Sequence, residues 1–276
     1  MTASPPIPLR IAGLQQALEL CVHDARDRHV SRRIREEGIW EPYETSLLLA
    51  TLAPGDVFVD VGANIGYFTV LAAARVGETG AVFAFEPDPQ NSRLLRQNVA
   101  HNGLLARVEL VEAALAEADA SGDLFLSEDN YGDHQIFNTG GARASVPVKL
   151  LCGAGYLQGR LERIDLLKVD TQGSEFAVMA GLMPLLGRLP ALPRILIELT
   201  PLSLRESGAS GRALVELLAN LAQPMWIVDH IEHRLAPSSA EELARWCDNV
   251  DGCPGDGGFM NILVGPAPPG AAGGRC

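Results

Sequence analysis

Two hydrophobic rhythms divide this chain. From residue 57 onward, short apolar runs alternate with segments in which apolar positions return every three or four residues. Runs of the first kind read as buried strands and the second as helices with one core-facing side; their alternation builds a parallel sheet with right-handed crossovers. The pattern predicts strands over residues 57–61, 81–85, 108–111, 164–169 and 195–199, with two more at 225–228 and 259–264. Helices are expected over 46–52, 67–75 and 215–221. Another opens with Asp88 as N-cap and Pro89 at its first position, carries Leu94, Leu95 and Val99, and closes at Gly103. Before the core, Leu9, Ile11, Leu14, Leu18 and Cys21 repeat near helical spacing, which predicts an amphipathic helix over 9–23. Arginines 26, 28, 32, 33 and 35, interleaved with acids, then read as a solvated helix face. Short alternating runs at 124–126 and 146–150 enclose a polar loop, 128–143, of a length that in compact domains is often functional.

The expected organisation is a helical extension or lid over 1–44, one α/β domain over 45–265, and a Pro/Gly/Ala tail over 266–276 read as disordered. Composition narrows the function. The 276 residues, 47% of them apolar, suffice for one sizeable core. A formal charge of −12 argues against broad nucleic-acid binding, which draws on clustered Lys and Arg, and favours a small-molecule substrate. No run is long enough to span a membrane, and residues 1–8 lack the features of a secretory signal, so a cytoplasmic setting is expected, with no membrane partner. Five scattered cysteines fit reduced thiols. Cys247 and Cys253 have no second pair to complete a zinc set, and His230 and His233 read as surface residues on a turn, so no metal site is expected.

The chemistry concentrates where strands end. Asp60-Val61-Gly62-Ala63-Asn64-Ile65-Gly66 follows a buried run, and such a strand, glycine turn and helix let backbone amides and a carboxylate approach a nucleotide-like ligand. The place where a dinucleotide fold keeps its middle glycine is Asn64, so a diphosphate is not the favoured ligand. A ribose with a cationic centre and no phosphate suits an acid-flanked loop, and S-adenosylmethionine fits that description. Ligands of open α/β sheets sit beyond the carboxyl ends of the strands, where this chain places Asp60, Glu86, Asp170 and Glu198. Glu86, following Gly62 at the distance from which a carboxylate reaches both ribose hydroxyls, is read as the ribose acid. Gly62, Ala63, Asn64 and Gly66 form the cofactor turn.

Four blocks in order, Val57 to Thr69, Phe85-Glu-Pro-Asp88, Ile164 to Glu175 and Ile195-Leu-Ile-Glu198, resemble the successive motifs of the FkbM family of methyltransferases over about residues 38–200. The resemblance implies a class I methyltransferase fold: a Rossmann-like, mostly parallel seven-stranded sheet with helices on both faces and its last strand antiparallel. It also implies O-methylation of a hydroxyl on a sugar or natural product, with S-adenosylmethionine as cofactor and a small hydroxylated acceptor as partner. It further implies that residues 40–44 close over the methionine end of the cofactor, making Tyr43 and Glu44 candidates, and that Glu112 and Ala113 lie beside the adenine. One departure stands out. The family's commoner Val-Glu-Gly after the strand-end Asp is here Thr171-Gln172-Gly173, which removes whatever role that acid has, metal binding included.

Transfer to a hydroxyl needs an aligned acceptor and a group to take its proton. His134, in Gly132-Asp-His-Gln-Ile-Phe137, resembles a Gly-Asp-His motif of the family and is the expected base, since imidazole titrates near neutral pH. Asp170 is expected to orient the acceptor, take its proton or hold the cofactor's amino group. Glu175 reads as a complement to the dipole of the helix it opens. Two other readings stand beside this one, a NAD-dependent oxidoreductase and a cofactor-binding partner without catalysis. The N-terminal helix is left open as lid or as contact in a homodimer.

Overall fold

A computed structural model describes residues 5–138, 143–253 and 255–270. Residues 139–142 of the polar loop, residues 271–276 of the expected tail, and Cys276 with them, lie outside the described residues. Two short paired strands, β1 (Ile7–Pro8) and β2 (Glu19–Leu20), precede helices α1 (Val30–Glu37) and α2 (Pro42–Thr51). The alternation foreseen from residue 57 follows as β3 (Val57–Val61), α3 (Tyr67–Val76), β4 (Ala81–Phe85), α4 (Pro89–His101) and β5 (Val108–Val111). Strands β6 (Ala114–Ala116), β7 (Ala120–Phe125) and β8 (Ser145–Cys152) make a separate small sheet. Helix α5 (Gly153–Leu157) leads back to β9 (Leu166–Val169), α6 (Glu175–Leu186) and β10 (Arg194–Leu199). Helices α7 (Pro201–Glu206) and α8 (Gly211–Ala219), strands β11 (Met225–Asp229) and β12 (Arg234–Ser238), α9 (Ala240–Asp251) and β13 (Met260–Val264) complete the described chain.

The main sheet runs β12-β11-β13-β10-β9-β3-β4-β5. Strands β3, β4, β5, β9 and β10 are mutually parallel, and β13 lies antiparallel to both β10 and β11. The last strand therefore runs against its neighbours, as expected. The count is eight rather than seven, because β12 adds an antiparallel edge strand. Its sequence, Arg-Leu-Ala-Pro-Ser, has no apolar run and holds Pro237, which only an edge position tolerates. The chain moves outward from β3 to β4 and β5, then restarts on the other side of β3 with β9. A crevice consequently opens between the carboxyl ends of β3 and β9, the switch point where such sheets bind ligands.

Alternation within β3 splits the core. Val59 and Val61 face a cluster with Val178, Leu182 and Leu214 from α6 and α8. Phe58 faces a second cluster with Leu48, Leu71 and Leu95 from α2, α3 and α4. Asp60 shares the face of Phe58, as do its register partner Lys168 and, two residues on, Asp170. A strip of charge thus crosses the α2-side face of an otherwise apolar sheet.

The helix expected over 9–23 is absent. Its backbone is instead held extended by side chains of α4 and its C-cap: the Cys21 amide donates to Asn98 Oδ1 at 2.7 Å and the Glu19 amide to Asn102 Oδ1 at 3.0 Å. Leu18 and Leu20 are buried by this docking, so tertiary partners replaced the helical ladder the spacing suggested. The helix of the extension is α1, whose Arg32–Glu36 and Arg33–Glu37 pairs keep its charged face in solvent as expected.

Candidate active site

At the switch point lies a cavity of about 630 Å³, within the range of small-molecule sites. Its first half is built by the turn after β3. Gly62 has φ +83, and a Cβ there would sit 1.8 Å from the Asp170 carbonyl oxygen, so the β3 and β9 ends can meet only through glycine. Asn64, with φ +50, closes the turn on itself, its Oδ1 accepting from the Ile65 amide at 2.6 Å. The Asn64 amide donates to Glu86 Oε2 at 2.8 Å, and the Asp88 amide donates to Glu86 Oε1 at 2.9 Å. Asp88 caps α4 as foreseen, accepting from the Asn91 amide. Burial pushes the Glu86 carboxyl up to about 8, and the Asp88 and Asn64 amides only partly offset it.

The long loop covers this half. Asn91 Nδ2 donates to the Tyr131 carbonyl at 3.0 Å, the Arg28 amide donates to the Asp129 carbonyl, and His23 packs edge-on against Tyr131. His134 is a half-buried residue of this loop. Its Nδ1 accepts from the Ser127 amide at 3.0 Å, and its Nε2 lies 3.9 Å from Asp88 Oδ2. A ring nitrogen that accepts from an amide holds no proton, so the neutral ring carries its hydrogen on Nε2 and has no lone pair to offer. Burial also holds its pKa below the usual value, against the pull of Asp88. The expected base is therefore a hydrogen-bond donor on the Glu86 side.

The second half of the cavity is a row across strand ends. The register Ile197 to Val169 sets Glu198 beside Asp170, and Glu198 is paired in turn with Asn261. Lys168 Nζ donates to Asp170 Oδ2 at 2.7 Å, with the Phe68 ring 4.7 Å beneath it. Gln172 Nε2 donates to Asp170 Oδ1 at 2.9 Å and to Glu198 Oε2 at 2.8 Å. Burial opposes the charge of Asp170, but Lys168 and Gln172 outweigh it and hold its carboxyl below the usual range. Burial pushes Glu198 well above its ordinary value, and the charges of Asp170, Glu175 and Glu41 add to the shift. Glu175 does more than complement a helix dipole: it accepts from the Thr171 and Gly173 amides and from the Thr171 hydroxyl, fixing the turn that presents Gln172. Helix α2 contributes Glu44, which accepts from Asn261 Nδ2 at 3.0 Å, and Glu41, the residue preceding that helix, also lines the cavity. Glu41 stands at φ +42, and burial pushes its carboxyl up to about 8.

Of the expected residues, Gly62, Ala63, Asn64, Glu86, His134 and Asp170 line this cavity. Tyr43, Asp60, Gly66, Glu112 and Ala113 are not in its wall. Tyr43 packs beneath it, stacked on His233 at 5.6 Å. Asp60 is sealed below, where Thr69 Oγ1 donates to it at 2.6 Å and burial raises its pKa. Gly66 serves packing, since a Cβ there would lie 2.4 Å from Leu95 Cδ1. Glu112 points to solvent, and the chain reaches the cavity at Ala114 and Leu115 instead. Sequence reading missed Glu41 and Lys168. A charge inside the apolar run Leu166-Leu-Lys-Val169 was the available signal for the latter; nothing local singles out Glu41.

The donor set fits S-adenosylmethionine: a carboxyl beside the glycine turn for ribose, in a cavity whose acidic lining favours a cationic sulfonium. It does not fit a diphosphate. The Lys and Arg side chains in the cavity wall, Lys168 and Arg33, are each already paired with a carboxylate.

Strand order, switch-point cavity and strand-end acids define a class I, Rossmann-like methyltransferase. The sequence profile of the methyltransferase FkbM domain matches residues 60–223, more than half the chain, and the chain belongs to that family of S-adenosylmethionine-dependent enzymes. It is 28% identical over 163 residues to methyltransferase sdnD of Sordaria araneosa, covering 48% of this chain and 62% of that protein. It is 27% identical over 180 residues to 2-O-methyltransferase NoeI of Sinorhizobium fredii, covering 55% of this chain and 70% of that protein. A crystal structure of methyltransferase FkbM from Methylobacillus flagellatus superposes with a TM-score of 0.44 at 12% identity, over 77% of this chain and 44% of that one. The match thus spans less than two thirds of the length of the first of these relatives. Among the described residues, no helix is long and apolar enough to cross a membrane.

Proposed function

We propose that the chain methylates a hydroxyl of a small acceptor, a sugar unit or a secondary metabolite, in the cytoplasm. The observation that carries this reading is the division of one cavity into a cofactor half around Glu86 and a second half walled by Asp170, Gln172, Glu198 and Asn261. Such a wall of hydrogen-bonding groups suits a polyhydroxylated molecule, and the 2-O-methyltransferase among the relatives supports oxygen as the acceptor atom. When bound, the cofactor supplies a methyl group already activated by its positive sulfur. The protein's share is alignment and proton transfer. Glu86 holds the ribose end, the Gly62 turn brings the backbone close, and the acid row receives the acceptor.

Two measurements test the reading. In a thermal-shift assay, S-adenosylhomocysteine at a hundred times its Kd stabilises the fold by about 2.7 kcal/mol, while NAD at equal concentration does not. With labelled S-adenosylmethionine and a panel of glycosides, phenols, amines and thiols, label is expected on hydroxyl-bearing members. Stabilisation by NAD alone, or label confined to amines or thiols, defeats it.

A further inference from the structure

With His134 committed as a donor, the proton of the acceptor hydroxyl needs another destination. Asp170 is a poor one. Both its oxygens are engaged, by Lys168 at 2.7 Å and by Gln172 at 2.9 Å, and ionisation is the state that this pairing stabilises. Glu198 differs in each respect. It lines the cavity on the neighbouring strand, and its Oε2 accepts from Gln172 at 2.8 Å. Its Oε1 has no hydrogen-bond partner among the described residues and is not sealed from the cavity.

We propose, resting on the reading of the cavity as a methyl-transfer site, that Glu198 Oε1 takes the acceptor's proton and that Gln172 is its positioning residue. The step balances without any further reactant. The acceptor O–H bond breaks and its proton passes to Glu198 Oε1. The oxygen forms the new bond to the methyl carbon, and the electrons of the former carbon–sulfur bond remain on sulfur. The protonated carboxyl then returns its proton to solvent through the open cavity.

Gln172 has a particular fitness for this arrangement. One amide nitrogen carries two hydrogens, and here one goes to each carboxyl, so both acids are oriented by a group that cannot itself ionise. The family's commoner glutamate at this position would put a third carboxyl between them, which the two could accommodate only by sharing a proton. The groups facing Glu198 are Lys168 on β9, Asp170 just after it, Glu175 at the start of α6 and Glu41 before α2. Burial and the neighbouring acids raise its affinity for a proton, and Lys168 only tempers this.

The test compares Glu198→Gln, Gln172→Ala and His134→Ala with the wild-type full chain. Calorimetry with S-adenosylhomocysteine, pH profiles of transfer to whichever panel hydroxyl the wild type methylates, and carbon-13 titration of the glutamate carboxyls in the S-adenosylhomocysteine complex are the readouts. Glu198→Gln is expected to bind S-adenosylhomocysteine within threefold of wild type and to lose about a hundredfold or more in transfer. The limb of the wild-type profile that rises with pH should vanish with it. Gln172→Ala should lower kcat more than it changes KM and displace that limb. His134→Ala should leave the limb in place. In the titration, one carboxyl with a raised midpoint should be missing from Glu198→Gln. A Glu198→Gln enzyme retaining more than a third of the wild-type rate overturns the proposal, as does a Glu198 carboxyl that titrates in the ordinary acid range. If the wild type transfers to no hydroxyl, the methylation reading fails separately, and the carboxyl titration alone decides the assignment of Glu198.

Discussion

Glu86 shows how one buried carboxyl ties cofactor affinity to pH. Its folded-state pKa of about 8 stands above the usual 4.5, so the folded chain prefers it protonated. The contribution of this group to stability is full below about 4.5 and is lost as pH rises through about 8. Binding works in the opposite sense. A ribose diol donates to the carboxylate, so the bound state must release the proton, and affinity for S-adenosylhomocysteine should rise between pH 6 and 8 and level off above. A charged hydrogen bond of this kind is worth about 1.5–3 kcal/mol, so Glu86→Ala should weaken binding by roughly one to two decades and flatten the pH dependence. Calorimetry across that range checks both, and an affinity indifferent to pH in the wild type would remove Glu86 from the ribose. Glu86 and Asp88 were legible because strand, turn and cap are local features. The role of His134 was not, because the tautomer depends on the Ser127 amide, which the fold brings to it across the loop.

At the level of elements, the β3–α3 turn separates two uses of glycine that the motif alone merges. Gly62 lies in the cavity wall, whereas Gly66 lies behind it at φ +89 and makes room for Leu95 of α4. Gly66→Ala should therefore cost about 1–3 kcal/mol of stability through its left-handed backbone, lowering Tm by several degrees, with S-adenosylhomocysteine affinity changed less than threefold. A large loss of affinity at unchanged Tm would return Gly66 to the cofactor site. The core strands and their helices followed from periodicity, since residues 57–111 bury each element against sequence neighbours. The extension over 9–23 did not, because Asn98 and Asn102 bind its backbone from far along the chain. Helix α9 escaped the apolar pattern although its capping box, Ser239 with Glu242, is written in the sequence.

For the whole molecule, the cavity depends on parts outside the stretch that matches the family profile. The β11–β12 turn and the approach to β13 set His230, His233 and Phe259 at the cavity rim, all beyond residue 223. Phe259 is 53% exposed and stacks on His230 at 6.4 Å, an aromatic platform open to whatever approaches the acid row. Phe259→Ala should raise KM for the acceptor several-fold with S-adenosylhomocysteine affinity unchanged, as steady-state kinetics and calorimetry together can show. An unchanged KM would assign the rim to packing alone.

By itself the sequence determined the sheet core, the glycine turn, the strand-end acid Glu86 and the capped helix after it, because each is specified by residues close together in the chain. Only the tertiary structure decided which acids meet. Glu41, Asp170 and Glu198 come from separate segments, and their charges are set by mutual distance and burial, quantities that no local pattern encodes.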